Sequence, residues 1–213
     1  MTQAPTRADL SGLEAHALTQ GGYFDRGDAQ DYGLDDQGLH YHARTGRFER
    51  VFPGVYRLRT APIDPRDDLL RALVWTNYRG ALSHESALAL YGLSDVMPAL
   101  IHLTVPLDFG RNVPPAAPYV LHRSAVKDAD IGTYNGLRVT APARSIVDAA
   151  ATGTAPDQIH RAVREALGRA LTTPDRLREA AARPGYRHRR TVQPLIERAI
   201  QDATGALAYA PVA

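Results

Sequence analysis

The chain has 213 residues, of which 44% are hydrophobic and 23% are charged, and it contains no cysteine. This composition is that of a globular protein long enough for one large or two small domains, and it excludes a disordered or fibrous chain. The lack of cysteine excludes disulfides, thiolate nucleophiles and cysteine-ligated zinc, and with no long apolar stretch or leader we predict a cytoplasmic protein.

The net charge is only +2, but it is unevenly distributed along the chain. Residues 1–39 carry a net −5, residues 40–60 a net +4, residues 61–155 a net −1 and residues 156–213 a net +4. Positive charge is therefore concentrated in one short segment and in the C-terminal third. A localised binding face for an acidic partner requires such a distribution.

The N-terminal residues predict three helices. Apolar residues at helical spacing indicate the first helix, within 9–18. Asp25 and Asp28 form a weak capping box for a short second helix, and Asp35 or Asp36 caps a third. A glycine follows each of these segments and ends it. Two short helices across a glycine-containing turn indicate a helix-turn-helix.

A β-hairpin is predicted directly after the third helix. Two segments of strand composition, RFERVF and VYRLR, flank Pro53-Gly54, with proline and glycine at the central positions of a type II turn. Three helices followed by a two-stranded ribbon are the element order of a winged helix-turn-helix. We therefore expect residues 1–60 to form a winged helix-turn-helix DNA-binding domain.

The third helix offers a polar face for DNA. Four of its side chains are spaced i, i+3, i+4, i+7 and can bond base edges and phosphates in a major groove: Gln37, His40, Tyr41 and Arg44. Arginines around the hairpin would contact the DNA backbone: Arg47, Arg50, Arg57 and Arg59. Asp35 and Asp36 argue against this interpretation, because only one of them is needed as a cap and the other weakens attraction to phosphate.

Residues 61–205 predict a mixed α/β domain that ends in helices, so the fold class is α+β. Asp64-Pro65 and Ser83 are expected to begin helices, IHLTVP and YVLHRS to form strands, and Thr140 to cap a helix. Amphipathic helices are expected around 159–167 and 192–199, with a shorter one from Thr173-Pro174 to a break at Pro184-Gly185. Residues 206–213 are expected to form a flexible tail.

The middle of the chain contains groups that could be combined into a catalytic site. Ser83, His84 and Asp148 could form a triad, but no Gly-x-Ser-x-Gly turn exposes the serine. Three histidines could bind zinc, yet none of them shares a short ligand spacing with another: His84, His102 and His122. We predict no catalytic residue, no cofactor and no metal site, and we expect Arg144 and Asp148 to form an ion pair.

In order, the chain contains GYFDRGDAQDYGL, GRFERVFPGVYRL, LSHESALALYGL, IHLTVP, VLHRS and LRVTAPARSIVDAA. This series resembles proteins of the AbiEi antitoxin family over roughly residues 10–200. The resemblance implies a non-enzymatic antitoxin that represses its own operon at inverted repeats on double-stranded DNA and can pair there. It also implies a co-encoded nucleotidyltransferase-like toxin as partner, in a type IV system that needs no stable complex between the two.

Two features qualify this resemblance. The third helix is less rich in arginine than in many relatives, so affinity or site preference can differ. The chain lacks the (Asp/Glu)-x-Lys pair of the nuclease domain that some proteins of this architecture carry. The alternative is a non-catalytic interaction module whose winged helix no longer binds DNA.

A second surface for a partner or nucleic acid is expected in the C-terminal third. It comprises Arg161, Arg164, Arg187, Arg189 and Arg190. Solvated surface arginines are the alternative interpretation of this region.

Overall fold

The structure is a computed structural model that describes residues 8–115, 117–183 and 189–208, without the side chains of 189 and 206–208. It is a mixed α+β fold with two sheets and divides into two compact units. The first unit comprises Met1–Arg79 with Arg111–Ala117, and the second comprises Gly80–Gly110 with Pro118–Ala213. No helix within the described ranges is long and apolar enough to cross a membrane.

The first unit combines four helices with a small antiparallel sheet, and this helix-strand arrangement fits a winged helix-turn-helix. Its sheet has the strand order β1-β3-β2. In chain order the elements are α1 (Leu10–Thr19), β1 (Tyr23–Asp25), α2 (Arg26–Asp31), α3 (Asp36–Arg44), β2 (Phe48–Phe52), β3 (Val55–Leu58) and α4 (Asp67–Trp75).

Local capping and turn chemistry explain most of these boundaries. Asp25 caps α2 and forms the predicted capping box with Asp28, with N–O distances of 2.8 and 3.0 Å. Asp35 caps α3 by accepting a bond of 2.8 Å from the Gly38 amide. Gly54 between β2 and β3 has φ +77°, as the third position of a type II turn requires.

Apolar residues from the helices and the sheet form the core of the first unit. Leu13, Phe24, Leu39 and Phe48 are at most 1% exposed, and the two phenylalanine rings meet edge to face with centroids 5.0 Å apart. Burying each such side chain contributes about 1.5–3 kcal/mol. This core fixes α3 against β2 and so determines which face of α3 reaches solvent.

The first unit extends beyond the predicted domain boundary at residue 60. Helix α4 packs on β1, and the Tyr23 hydroxyl donates a hydrogen bond to Asp67, so the compact unit ends at Arg79. The predicted helix start at Asp64-Pro65 is wrong. The Asp64 carboxylate accepts bonds from the Arg66 amide (2.7 Å) and guanidinium instead of capping the helix, which begins at Asp67.

The second unit surrounds a five-stranded mixed sheet of order β6-β5-β4-β8-β7, in which β5 is parallel to β6 and β4 is parallel to β8. Its elements are β4 (Ala81–Leu82), α5 (His84–Tyr91), β5 (Ile101–Val105), β6 (Tyr119–Arg123), β7 (Ile131–Tyr134), β8 (Leu137–Thr140), α6 (Pro142–Ala151), α7 (Pro156–Gly168), α8 (Pro174–Ala182) and α9 (Arg189–Ala208). The predicted strands at 101–106 and 119–124 and the helix after Ser83 are confirmed.

Two boundaries in the second unit differ from the prediction. Thr140 does not cap α6, because its hydroxyl lies 2.7 Å from the Ser145 hydroxyl and Ala141 occupies the cap position. Helix α9 continues to Ala208 and so extends into the segment predicted as a flexible tail. The predicted break at Pro184-Gly185 lies outside the described residues.

Candidate nucleic-acid interface

The polar face predicted on α3 points to solvent. Leu39 is 1% exposed and anchors the opposite face of the helix in the core. Gln37, His40, Tyr41 and Arg44 are all exposed, and Tyr41 is 55% exposed although its ring is large and apolar. An amide, an imidazole, a phenol and a guanidinium side by side can donate to and accept from base edges.

The two aspartates at the start of α3 both have intramolecular partners. Asp35 bonds the Gly38 amide, and Asp36 forms an ion pair with Arg26. The charge of Asp36 is therefore matched within the first unit. The two aspartates should therefore weaken the attraction of α3 for phosphate less than the sequence suggests.

The predicted arginines fall into two groups. In the described part of the chain, no carboxylate lies within ion-pair distance of Arg44, Arg50 or Arg59, and all three are exposed. Arg47 is exposed as well, but its Nε lies 2.7 Å from Glu14. Three guanidinium groups of the α3–wing surface, which we define as Gln37, His40, Tyr41, Arg44, Arg50 and Arg59, are thus available to phosphates.

Arg57 differs from its neighbours because it points inward. Its side chain is only 13% exposed and donates to the carbonyls of Ala61 and Pro62 at 3.2 and 3.0 Å. Its Nε also lies 3.6 Å from Asp67. Arg57 therefore joins β3 to the segment before α4, and the prediction that it contacts phosphate is not retained.

One cation near this surface could not be identified from the sequence. Arg111 belongs to the loop between β5 and β6, yet it donates to the Trp75 carbonyl at 2.6 Å and lies 3.6 Å from Asp25. It lines a cavity of 970 Å³ together with Arg26, His40 and Arg50, all in the first unit. Only the structure places this loop beside α3, because the loop sequence carries no pattern that indicates it.

The predicted C-terminal surface is only partly available. Arg161 forms ion pairs with Asp95 and with Glu165, the latter at 2.9 Å. Arg164 and Arg190 are exposed. Arg187 and the side chain of Arg189 lie outside the described residues. The surface as a whole stays a prediction.

Two members of the triad considered for the second unit, Ser83 and Asp148, are buried. Ser83 is fully buried, and its hydroxyl lies 2.9 Å from His84 Nδ1. Asp148 is 3% exposed and is bonded by Arg144 at 2.7 Å, which confirms the expected ion pair. The aspartate is thus engaged by the guanidinium group.

The fold does bring the three histidines of the second unit together. One nitrogen from each of His84, His102 and His122 lies within 4.8 Å of the others. Burial lowers the pKa of His84 to about 2 and that of His122 to about 4, and it also lowers the pKa of His102. All three imidazoles are therefore neutral at pH 7.

A protein-family model matches part of the first unit. Residues 13–59, which contain α1 to α3 and the hairpin, match the family model described as "Transcriptional regulator, AbiEi antitoxin". This match confirms the AbiEi family prediction for residues 13–59. Among curated proteins, none matches the chain.

The fold of the whole chain is also similar to that of a solved structure. The RV2827C protein from Mycobacterium tuberculosis, known from a crystal structure, aligns with 100% of this chain and 86% of its own, with a TM-score of 0.56 and 14% sequence identity. At this identity the similarity shows a shared fold and nothing about function.

Proposed function

We propose that this protein is a DNA-binding antitoxin that represses its own operon and counteracts a co-encoded nucleotidyltransferase-like toxin. The observation that carries the proposal is the exposed α3–wing surface inside the segment that matches the AbiEi regulator family. The role is regulatory and not enzymatic.

In this proposal α3 enters the major groove. Gln37 and His40 read base edges, and each well-placed bidentate contact contributes about 1–3 kcal/mol of discrimination against a wrong base. Tyr41 adds apolar contact from its exposed ring. The capping bond of Asp35 keeps the first turn of α3 rigid, so these side chains are presented in a fixed register.

Phosphate contacts would come from both sides of α3. Arg44 lies in its last turn, and Arg50 and Arg59 flank it from the hairpin. These contacts carry no sequence information, but they orient the helix on the duplex. Because the operator is expected to be an inverted repeat, two copies of the chain would bind the two half-sites.

The antitoxin role rests on the family description alone. Exposed Arg164 and Arg190 in the second unit offer positive charge for an acidic partner. That partner would be the toxin or its nucleic-acid substrate. Growth rescue by the full chain, when the neighbouring gene is expressed beside it, tests this part of the proposal.

Electrophoretic mobility shift with the DNA upstream of the gene tests operator binding. We expect specific binding by the full chain and loss of about a hundredfold in affinity when Arg44, Arg50 and Arg59 are all replaced by alanine. The slope of log affinity against log salt should fall by about 0.9 for each phosphate contact removed.

A matched control is Arg176→Ala, which removes an exposed arginine on α8 of the second unit. It should bind as the parent chain does. If the folded triple variant binds the upstream DNA as tightly as the parent, the α3–wing surface is not the DNA contact. Absence of specific binding by the parent chain would favour the alternative, an interaction module whose winged helix has lost DNA binding.

A further inference from the structure

The three histidines of the second unit come from different elements. His84 begins α5, His102 lies on β5 and His122 lies on β6. Thr104 of β5 pairs with His122, and side chains alternate along a strand, so His102 and His122 point to the same face of the sheet. Helix α5 packs on β5 and places His84 over that face.

Hydrogen bonds engage specific nitrogen atoms of these rings. The Ser83 hydroxyl lies 2.9 Å from His84 Nδ1 and leaves Nε2 as the free position of that ring. His102 Nδ1 lies 3.1 Å from His122 Nε2. The Ser83 contact holds the His84 ring through the nitrogen opposite the proposed ligand atom, as is recurrent for histidine metal ligands.

We infer that His84, His102 and His122 form a binding site for a divalent transition-metal ion of the Zn²⁺ class. Three neutral imidazoles are ligands that such ions prefer over Mg²⁺ or Ca²⁺. The site is separate from the α3–wing surface and independent of the proposed operator binding. Three protein ligands leave one position for water or for a group of a partner.

The surrounding cavity provides access to this position. His84 and His122 both line a cavity of 530 Å³ in the second unit. The same cavity is lined by four cationic side chains and two carboxylates, so a hydroxide, carboxylate or phosphate on the metal would meet a net positive charge: Arg123, Lys127, Arg144, Arg183, Asp130 and Asp148.

The backbone at His84 has an unusual conformation. Its φ is +52°, a region that residues other than glycine rarely adopt. The surrounding structure holds the residue in this conformation. At His84 the result is that the ring lies over His122, with centroids 3.5 Å apart.

Metal binding requires a small rearrangement of the rings. Zn–N bonds of about 2.0–2.1 Å in a tetrahedral site set neighbouring nitrogens about 3.3 Å apart. The pair His102–His122 already meets this distance at 3.1 Å, whereas His84 and His122 are stacked with an angle of 19° between their planes. The His84 ring must therefore rotate about χ2, which is a soft torsion for an imidazole.

Titration of the full chain, stripped with a chelator, tests the site directly. With Zn²⁺ as the probe in isothermal titration calorimetry, we expect one ion per chain. Nitrogen-detected NMR should show changes at three of the eight histidines, namely His84, His102 and His122. No stoichiometric binding by the folded chain, or changes confined to other histidines, would overturn the inference.

Variants sharpen this test. His102→Ala and His122→Ala should each weaken Zn²⁺ binding at least roughly tenfold. His160→Ala should not, because His160 lies on α7 and pairs with Asp202 at 2.8 Å. Unchanged affinity in folded His102→Ala contradicts the site. If the alanine variants do not fold, the NMR changes in the parent chain decide the question.

Discussion

The arginines around α3 and those of the second unit each divide into ones held in ion pairs and ones that are exposed. Arg44, Arg50 and Arg59 are exposed and lie near no carboxylate in the described part of the chain. In the second unit, ion pairs engage Arg144, Arg161, Arg178 and Arg183. Residues 40–60 and 156–213 have the same net charge of +4 in the sequence, and in each segment some arginines, such as Arg47 and Arg161, are engaged by carboxylates while others are exposed. Folding, more than composition, determines which cations can bind an anion.

The largest change in stability is expected when an ion-paired arginine is removed. Arg144 is 8% exposed and bonds Asp148 at 2.7 Å and Asp130 at 3.5 Å. Arg144→Met should lower the free energy of unfolding by about 3–5 kcal/mol, because it removes a guanidinium group that is bonded to two buried carboxylates. Urea unfolding measures the change. The exposed Arg198 on α9 is the control, and Arg198→Met should stay within about 0.5 kcal/mol of the parent.

Arg57 and Arg59 allow the same comparison within the first unit. Arg57→Gln should cost about 1–3 kcal/mol of stability, because it removes donors to the carbonyls of Ala61 and Pro62. Arg59→Gln should leave stability unchanged and weaken operator binding. Thermal unfolding and mobility shift on both variants measure the two effects. Equal stability of the two variants would show that the inward contacts of Arg57 contribute nothing.

Acid should weaken the second unit through its histidines. Since burial lowers the pKa of His84 from 6.5 to about 2, the unfolded chain binds a proton below pH 6.5 that the folded chain does not. Stability should therefore fall as pH decreases from about 6.5, by about 1.4 kcal/mol per pH unit from His84 alone. Urea midpoints between about pH 7.5 and about pH 5.5 measure the slope.

His84→Gln provides the check on this assignment. The variant should be less stable than the parent at neutral pH but should lose less stability on acidification, because glutamine has no proton to bind. An unchanged slope in His84→Gln would assign the acid sensitivity to other groups.

The smallest effect on stability is expected at the exposed arginines of the second unit. Replacing Arg164 and Arg190 by glutamine should change the free energy of unfolding by less than about 0.5 kcal/mol. Rescue of growth from the toxin should nevertheless fall. Full rescue at equal protein level would assign these arginines to the solvated surface, and the two positive regions would then differ in function.

Elements set by short-range chemistry were predictable from the sequence. The capping box of Asp25 and Asp28, the Pro53-Gly54 turn and the αL glycine at Gly92 each act within a few residues. Strand β1 was not predicted, because it has only three residues and forms by pairing with β3. The helix start at Asp64 failed for a related reason, since nearby Arg66 competes for the carboxylate.

The candidate sites too could be predicted only where short-range spacing determines them. The α3 face follows from helical spacing, and all four predicted side chains are exposed. Whether an arginine is available depends on partners distant in sequence, such as Glu14 for Arg47, and these are invisible to a charge count. The histidine cluster depends on the register of β5 against β6, which no spacing in the sequence specifies.

The path of the chain through the two units has a consequence for synthesis on the ribosome. Arg111–Ala117 completes the first unit, although strand β5 of the second unit is made before it. A nascent chain that has emerged only to α4 therefore lacks the guanidinium group that lies beside Asp25 and bonds the Trp75 carbonyl. Because domains generally fold as they emerge from the N-terminus, the first unit becomes complete only after part of the second unit has been translated.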